Sequence, residues 1–123
     1  MGAWSFEVLS NDTALDTMGD LEDSKNIKVD IEKLLDNGST DEKVLACEII
    51  DISINGINEE ILGSLYEYEE FFKEIQNKPF TELRLKAYET IRYIQKHDGG
   101  WIDEVKEQRA NLLRKIENRL IAE

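Results

Sequence analysis

The sequence predicts an all-α fold: a single compact domain of about five to six helices, arranged as an antiparallel bundle or a short helical stack. Three observations carry that prediction. Apolar residues return at spacings of three and four along most of the chain, the period of one helix face. Start and stop signals, led by Ser39 ahead of Glu42 and by the dipeptides Asn37-Gly38 and Asn55-Gly56, cut the pattern into helix-sized lengths. Proline, the strongest breaker, occurs once, at Pro79.

Residues 1–10, MGAWSFEVLS, are apolar without a helical period, and predict an irregular arm whose Trp4, Phe6, Val8 and Leu9 tuck into the core. Asn11 or Asp12 then supplies a short side-chain oxygen for the first orphan amides of a helix. Ala14, Leu15, Met18 and Leu21 give that helix its apolar face, to about Ser24. Ile27, Ile31, Leu34 and Leu35 build a second helix, for which Asn37-Gly38 predicts a left-handed stop. Ser39-Thr40-Asp41-Glu42 reads as a capping box launching a third, with Val44, Leu45, Ile49 and Ile52, ending near Asn55-Gly56.

Asn58 is expected to cap a fourth segment from Glu59 to about Gln76, with a break at Gly63. Pro79 fits the first turn of a fifth helix through Leu83, Ala87, Ile91 and Ile94 to about His97. After the Asp98-Gly99-Gly100 turn, Trp101, Val105, Leu112, Leu113, Ile116 and Leu120 mark a last helix whose basic residues gather late, where the dipole favours them. The implied connections are short, so neighbouring helices are expected to run roughly antiparallel. With 123 residues and no Gly/Ser-rich linker, residues 1–123 are read as one domain.

Charge is the most informative part of the composition. The formal net charge is −12, and residues 1–62 hold 15 Asp and Glu against 4 Lys, while residues 63–123 hold 12 against 11 Lys and Arg. A negative field concentrated in one half repels phosphate backbones and anionic headgroups and draws cationic partners inward. Neither direct nucleic-acid binding nor membrane binding is therefore expected. No signal peptide or membrane-length apolar run is read, and the expected location is the cytoplasm.

The residues that perform chemistry are sparse. Cys47, the one cysteine, lies in the apolar run VLACEII and reads as a small buried hydrophobe. The one histidine, His97, sits at a predicted helix C-terminus, where the dipole or the surface accounts for it. No phosphate loop, nucleophile elbow or zinc-binding histidine pair is present. No cofactor is expected. Asp12, Asp16 and Asp20 fall at i, i+4 and i+8, stacking carboxylates along one stripe. Oxygen ligands suit Mg²⁺ or Ca²⁺, but three successive turns spread over about 11 Å, too far for one ion to hold all three. Glu67, Glu69 and Glu70 form a second acidic cluster, interleaved with Tyr66, Tyr68, Phe71 and Phe72. Those aromatics read chiefly as core; a partner surface would show the same interleaving.

Met1-Gly2-Ala3-Trp4, Asn11-Asp12, Ala14, Asp16 and Asp20-Leu21 fall at the spacing of MGAWGxGxF-x-NDxAxDxxxDL. The opening therefore resembles a bacterial family, the domain-of-unknown-function 4259 family, with Ser5, Glu7 and Leu9 replacing two glycines and a phenylalanine. The resemblance implies a small helical fold and no particular reaction. The overall profile also resembles the immunity proteins of bacterial toxin systems, including contact-dependent growth inhibition, which are small, cytosolic and often acidic.

The functional expectation is an immunity protein, not an enzyme. It would neutralise a basic toxin domain, a nuclease such as an RNase, by covering its nucleic-acid-binding or active site, with carboxylates standing in for phosphates. Asp16, Asp20, Asp23, Glu67 and Glu70 are the expected contact residues, and a monomer is the favoured state. The alternatives are a metal-dependent enzyme using the N-terminal carboxylates and a non-catalytic helical adaptor.

Overall fold

The computed structural model of the chain describes residues 12–58, 61, 68–97 and 103–121. Six α-helices order these residues: α1 (Asp12–Glu22), α2 (Ile27–Asn37), α3 (Thr40–Asn55), α4 (Glu69–Gln76), α5 (Arg84–His97) and α6 (Asp103–Ile121), with a 3₁₀ turn at Thr81–Leu83 leading into α5. The described residues contain no strand, and the fold is all-α. No helix among them is long and apolar enough to cross a membrane.

The long helix α3 is the centre of the structure. Its start is the expected capping box: Ser39 Oγ accepts from the Glu42 amide, and Glu42 Oε1 accepts from the Ser39 amide at 2.8 Å. From Val44 to Ser53 every residue is buried. A helix covered all round must be walled on every side, and α1, α2, α4, α5 and α6 all pack against it. Each partner contributes an apolar stripe: Ala14, Met18 and Leu21 from α1, Ile31 and Leu35 from α2, Phe72 and Ile75 from α4, Ala87, Ile91 and Ile94 from α5, and Leu113, Ile116 and Leu120 from α6. Burying side chains of this size contributes about 1.5–3 kcal/mol each.

Two stop signals work differently from each other. Gly56 closes α3 with φ of +89°, a backbone region that glycine enters without steric cost. Gly38 closes α2 in extended backbone, φ −71° and ψ 166°, so the left-handed stop predicted there is corrected. Glycine is required at Gly38 for a different reason. A Cβ there would lie 2.6 Å from the Leu34 carbonyl oxygen and 3.0 Å from Glu42 Cβ, because α2 turns into the α3 capping box without spare room.

Pro79 is also corrected. It lies outside any helix, and α5 begins at Arg84 after the 3₁₀ turn. The Phe80 amide donates to Ser53 Oγ at 3.0 Å, and the Phe80 ring is buried. Pinning the chain to α3 at that point delays the helix. The predicted fourth segment is described only at Ile61 and from Tyr68 onward, and α4 starts at Glu69. The break at Gly63, the irregular arm of residues 1–10, Trp4 and Trp101 lie outside the described residues.

Candidate functional site

The acidic stripe begins as a matter of helical register. On α1, Ala14, Thr17, Met18 and Leu21 turn inward, which leaves Asp16 and Asp20 four residues apart on the exposed face. Thr17 Oγ1 fixes the helix from beneath, donating to the Thr13 carbonyl at 2.8 Å and lying 3.5 Å from Glu42 Oε2 at the head of α3. Asp16, Asp20 and Asp23 are exposed and form no ion pair or hydrogen bond through their carboxylates among the described residues. Their charge is therefore directed to solvent.

Between α1, α2 and the start of α3 the stripe borders a cleft of about 210 Å³. Leu21 and Leu34 lie in it beside Asp20, Asp30 and Glu42, with Lys33 at the same cleft. Asp30 takes a hydrogen bond from Ser24 Oγ, and Glu42 is used by the capping box. Asp20 is the cleft carboxylate without such a duty. Apolar walls with carboxylates at the edge match an arginine or lysine side chain, which buries a hydrocarbon stem and keeps a cationic head at the rim.

A hydrogen bond links the start of α4 to α1. Tyr68 Oη, just before α4, donates to the Leu15 carbonyl of α1 at 3.4 Å. Glu70 is exposed on the first turn of α4, whereas Glu67 lies outside the described residues. The aromatics interleaved with these acids belong to the core: Phe72 is fully covered, Phe71 and Tyr68 nearly so, and the two phenylalanine rings pack edge-to-face at 5.3 Å. Phe71 and Phe72 hold α4 to α3, in line with the core reading that their sequence context chiefly supported.

A second cleft, of about 390 Å³, lies between the α1–α2 connection and α4. Lys25, Lys28 and Lys78 share it with Glu22, Glu74 and the apolar Phe71, Ile75 and Phe80, so its lining is of mixed charge. Lys28 is already paired with Glu82. On the far side, Lys86 of α5 bridges Glu32 and Asp36 of α2 at 3.3 and 2.7 Å, and the Asp36 hydrogen bond leads the causes that raise its pKa.

Neither Cys47 nor His97 lines either cleft. Cys47 is buried on α3, its Sγ donating to the Ala87 carbonyl at 3.4 Å, and burial holds the thiol far above its ordinary pKa. Such a thiol is inert at neutral pH. His97 is exposed and stacks on Tyr93 with ring centroids 4.1 Å apart. Among the described residues no three Asp, Glu, His or Cys side chains are grouped to hold a metal ion.

The polar cluster that sequence reasoning missed lies inside the core. Asp51, with no solvent exposure, accepts from Arg119 Nε of α6 at 2.7 Å and from Asn55 Nδ2 at 2.9 Å. Arg119 also donates to the Gly56 carbonyl, and Asn55 Nδ2 reaches the Arg119 carbonyl at 2.8 Å. Glu48 sits one turn earlier, equally buried, with no hydrogen-bond donor on either carboxyl oxygen. Desolvation, then the Asp51 charge, push its pKa well above the ordinary carboxylate value. The signal was present in the sequence: Glu48 and Asp51 are the only charges between Val44 and Ser53, and they stand at i, i+3.

Comparison with known proteins assigns nearly all of the chain to one family. The profile of a domain of unknown function, DUF4259, matches residues 2–118. The chain belongs to the DUF4259 family. No curated protein and no solved structure matches it. The DUF4259 match takes in α1 to α5 and all but the last three residues of α6, so the stripe, the acidic cleft, Glu48 and Asp51 are all parts of the family domain. The description of DUF4259 names no reaction, and the function has to be argued from the surface.

Proposed function

We propose that this protein is an immunity protein that binds a basic toxin domain, of nuclease type, and covers its nucleic-acid-binding surface. The observation that carries the reading is the α1 stripe: Asp16 and Asp20 exposed, unpaired within the described residues, and bordering a cleft whose leucines and carboxylates suit an arginine or lysine. Carboxylates on a rigid helix replace phosphates at the same cationic surface, and the net charge of −12 steers that surface inward. Asp23 at the end of α1 and Glu70 on the first turn of α4 extend the proposed contact, and Glu67 is assigned to it from sequence.

The decisive experiment measures association of the full chain with a basic nuclease toxin domain, sought first in the product of the neighbouring upstream gene. Raising salt from ~0.05 to ~0.5 M contracts the Debye length about threefold and should slow association clearly. Asp16→Asn with Asp20→Asn should slow it further at low salt and leave the dissociation rate less affected. An association rate indifferent to salt and to both substitutions overturns the reading.

A further inference from the structure

Helix α5 turns a face to solvent that no described helix covers. Leu85 is 66% exposed and Tyr93 59%, the two most exposed of the large hydrophobic side chains described. Leu85, Glu89, Arg92 and Lys96 follow one another at spacings of four, three and four, which is one stripe of a helix, and all four are exposed. Tyr93 flanks that stripe, and the stacked His97 ring holds it in place at a centroid distance of 4.1 Å. Beside it an open groove of about 420 Å³ runs between α5, α2 and the head of α3, lined by Leu35, Lys43, Lys86, Glu89, Thr90 and Tyr93.

The sign of the charge also changes here. Copies of a chain with a net charge of −12 repel one another over most of their surface. Helix α5, however, holds Arg84, Lys86, Arg92 and Lys96 against one acid, Glu89. Glu89 and Lys96 form no ion pair among the described residues, and Arg92 reaches Glu117 only at 3.8 Å. The stripe therefore offers an acid, two cations and exposed apolar surface together.

We propose that this face docks a second copy of the chain, α5 against α5, in an antiparallel pair related by a two-fold axis. About such an axis, each contact that one copy makes is returned by the other. Antiparallel pairing across the middle of α5 sets each Glu89 level with Arg92 of the second copy and one turn from its Lys96. Parallel pairing would set Glu89 against Glu89 and Arg92 against Arg92, which like charges oppose. In the antiparallel order each Tyr93 lies toward the groove of the other copy, and each Leu85 lies along the hydrocarbon stem of Lys96. Tyrosine and arginine are the residue types that anchor interfaces. One helix of 14 residues covers less than the roughly 1,600 Å² of a standard interface, so the pair is weak and depends on concentration. Helix α1 packs on α3 and shares no substantial contact with α5, so Asp16 and Asp20 stay open in the pair. The pairing is independent of the proposed function and is tested without any toxin.

The test follows the mass of the full chain in solution by sedimentation, from about 10 μM to about 1 mM, the range suited to so small an interface. The weight-average mass should climb from one chain toward two. Leu85→Asp and Glu89→Lys, both at exposed positions, should each weaken the pair about tenfold or more. Lys96→Glu mixed with Glu89→Lys should recover association that Glu89→Lys alone lacks, because opposite signs then meet again. Asp16→Asn with Asp20→Asn, on α1, should leave the pair in place. A single-chain mass at every concentration overturns the proposal. So does a pair indifferent to Leu85→Asp and Glu89→Lys, or one lost with the α1 substitutions, since either result puts the contact on another face.

Discussion

Arg119 Nε, on the C-terminal helix, donates a 2.7 Å hydrogen bond to Oδ2 of Asp51, in the middle of the fully covered stretch of α3. This ion pair joins the last helix to the central one, and its removal has a defined cost. Arg119→Ala leaves the Asp51 charge buried beside Glu48 and should destabilise the chain by about 3 kcal/mol, read as a lower urea midpoint. Adding Asp51→Asn to that variant should recover part of the loss, because the stranded charge goes with it.

The pH dependence of stability follows from Glu48. Its pKa is raised in the folded chain, so the folded state holds a proton that the unfolded state releases. The stability this group contributes is full below the unfolded value, about 4.3. It falls as pH rises toward the folded value. Urea midpoints measured across that window should decline in wild type and flatten in Glu48→Gln, once the common contribution of the surface carboxylates is subtracted.

Two glycines should respond to alanine in opposite directions. At Gly38 the added carbon meets the Leu34 carbonyl oxygen at 2.6 Å, and backbone has to move; a loss of about 1–3 kcal/mol is expected. At Gly19, inside α1, an added Cβ meets nothing within 4 Å. Gly19→Ala should stabilise the chain by about 0.5–1 kcal/mol through helix propensity alone. Thermal melts of the two variants distinguish packing from propensity.

Ser39→Ala removes the hydroxyl that accepts from the Glu42 amide and should cost about 1 kcal/mol. Glu42→Gln should cost less, because an amide oxygen can still accept from the Ser39 backbone. Far-ultraviolet circular dichroism through a urea titration would rank the two.

What was legible in the sequence was whatever depends on local periodicity and capping. Ala14, Met18 and Leu21 announce the inner face of α1, and by subtraction place Asp16 and Asp20 outside. Ser39 and Glu42 announce the start of α3, and Cys47 was read correctly as buried because apolar residues flank it. What stayed hidden depends on contacts between distant segments. Periodicity treats any glutamate as solvent-facing, so Glu48 was passed over despite its apolar flanks, and the five helices around α3 show it to be buried. The partner of Asp51 lies 68 residues away, and no short-range pattern reports such a pair. Gly38 was misread because a steric limit set by Leu34 and Glu42 produces the same residue choice as a left-handed turn. Phe71 and Phe72 were ambiguous in sequence because core and interface select the same aromatics; the packing of α4 on α3 decided them.

Five described helices share one wall, the ten residues from Val44 to Ser53. An ordinary bundle divides its interior among several seams, so damage at one seam spares the others. Here a change of volume anywhere in that decapeptide is felt by neighbours arriving from several directions, and compensation would require simultaneous change in several helices. The outward side of α1 has no such obligations. Substitutions on the outward side of α1 should therefore be tolerated where volume changes in the middle rod are not.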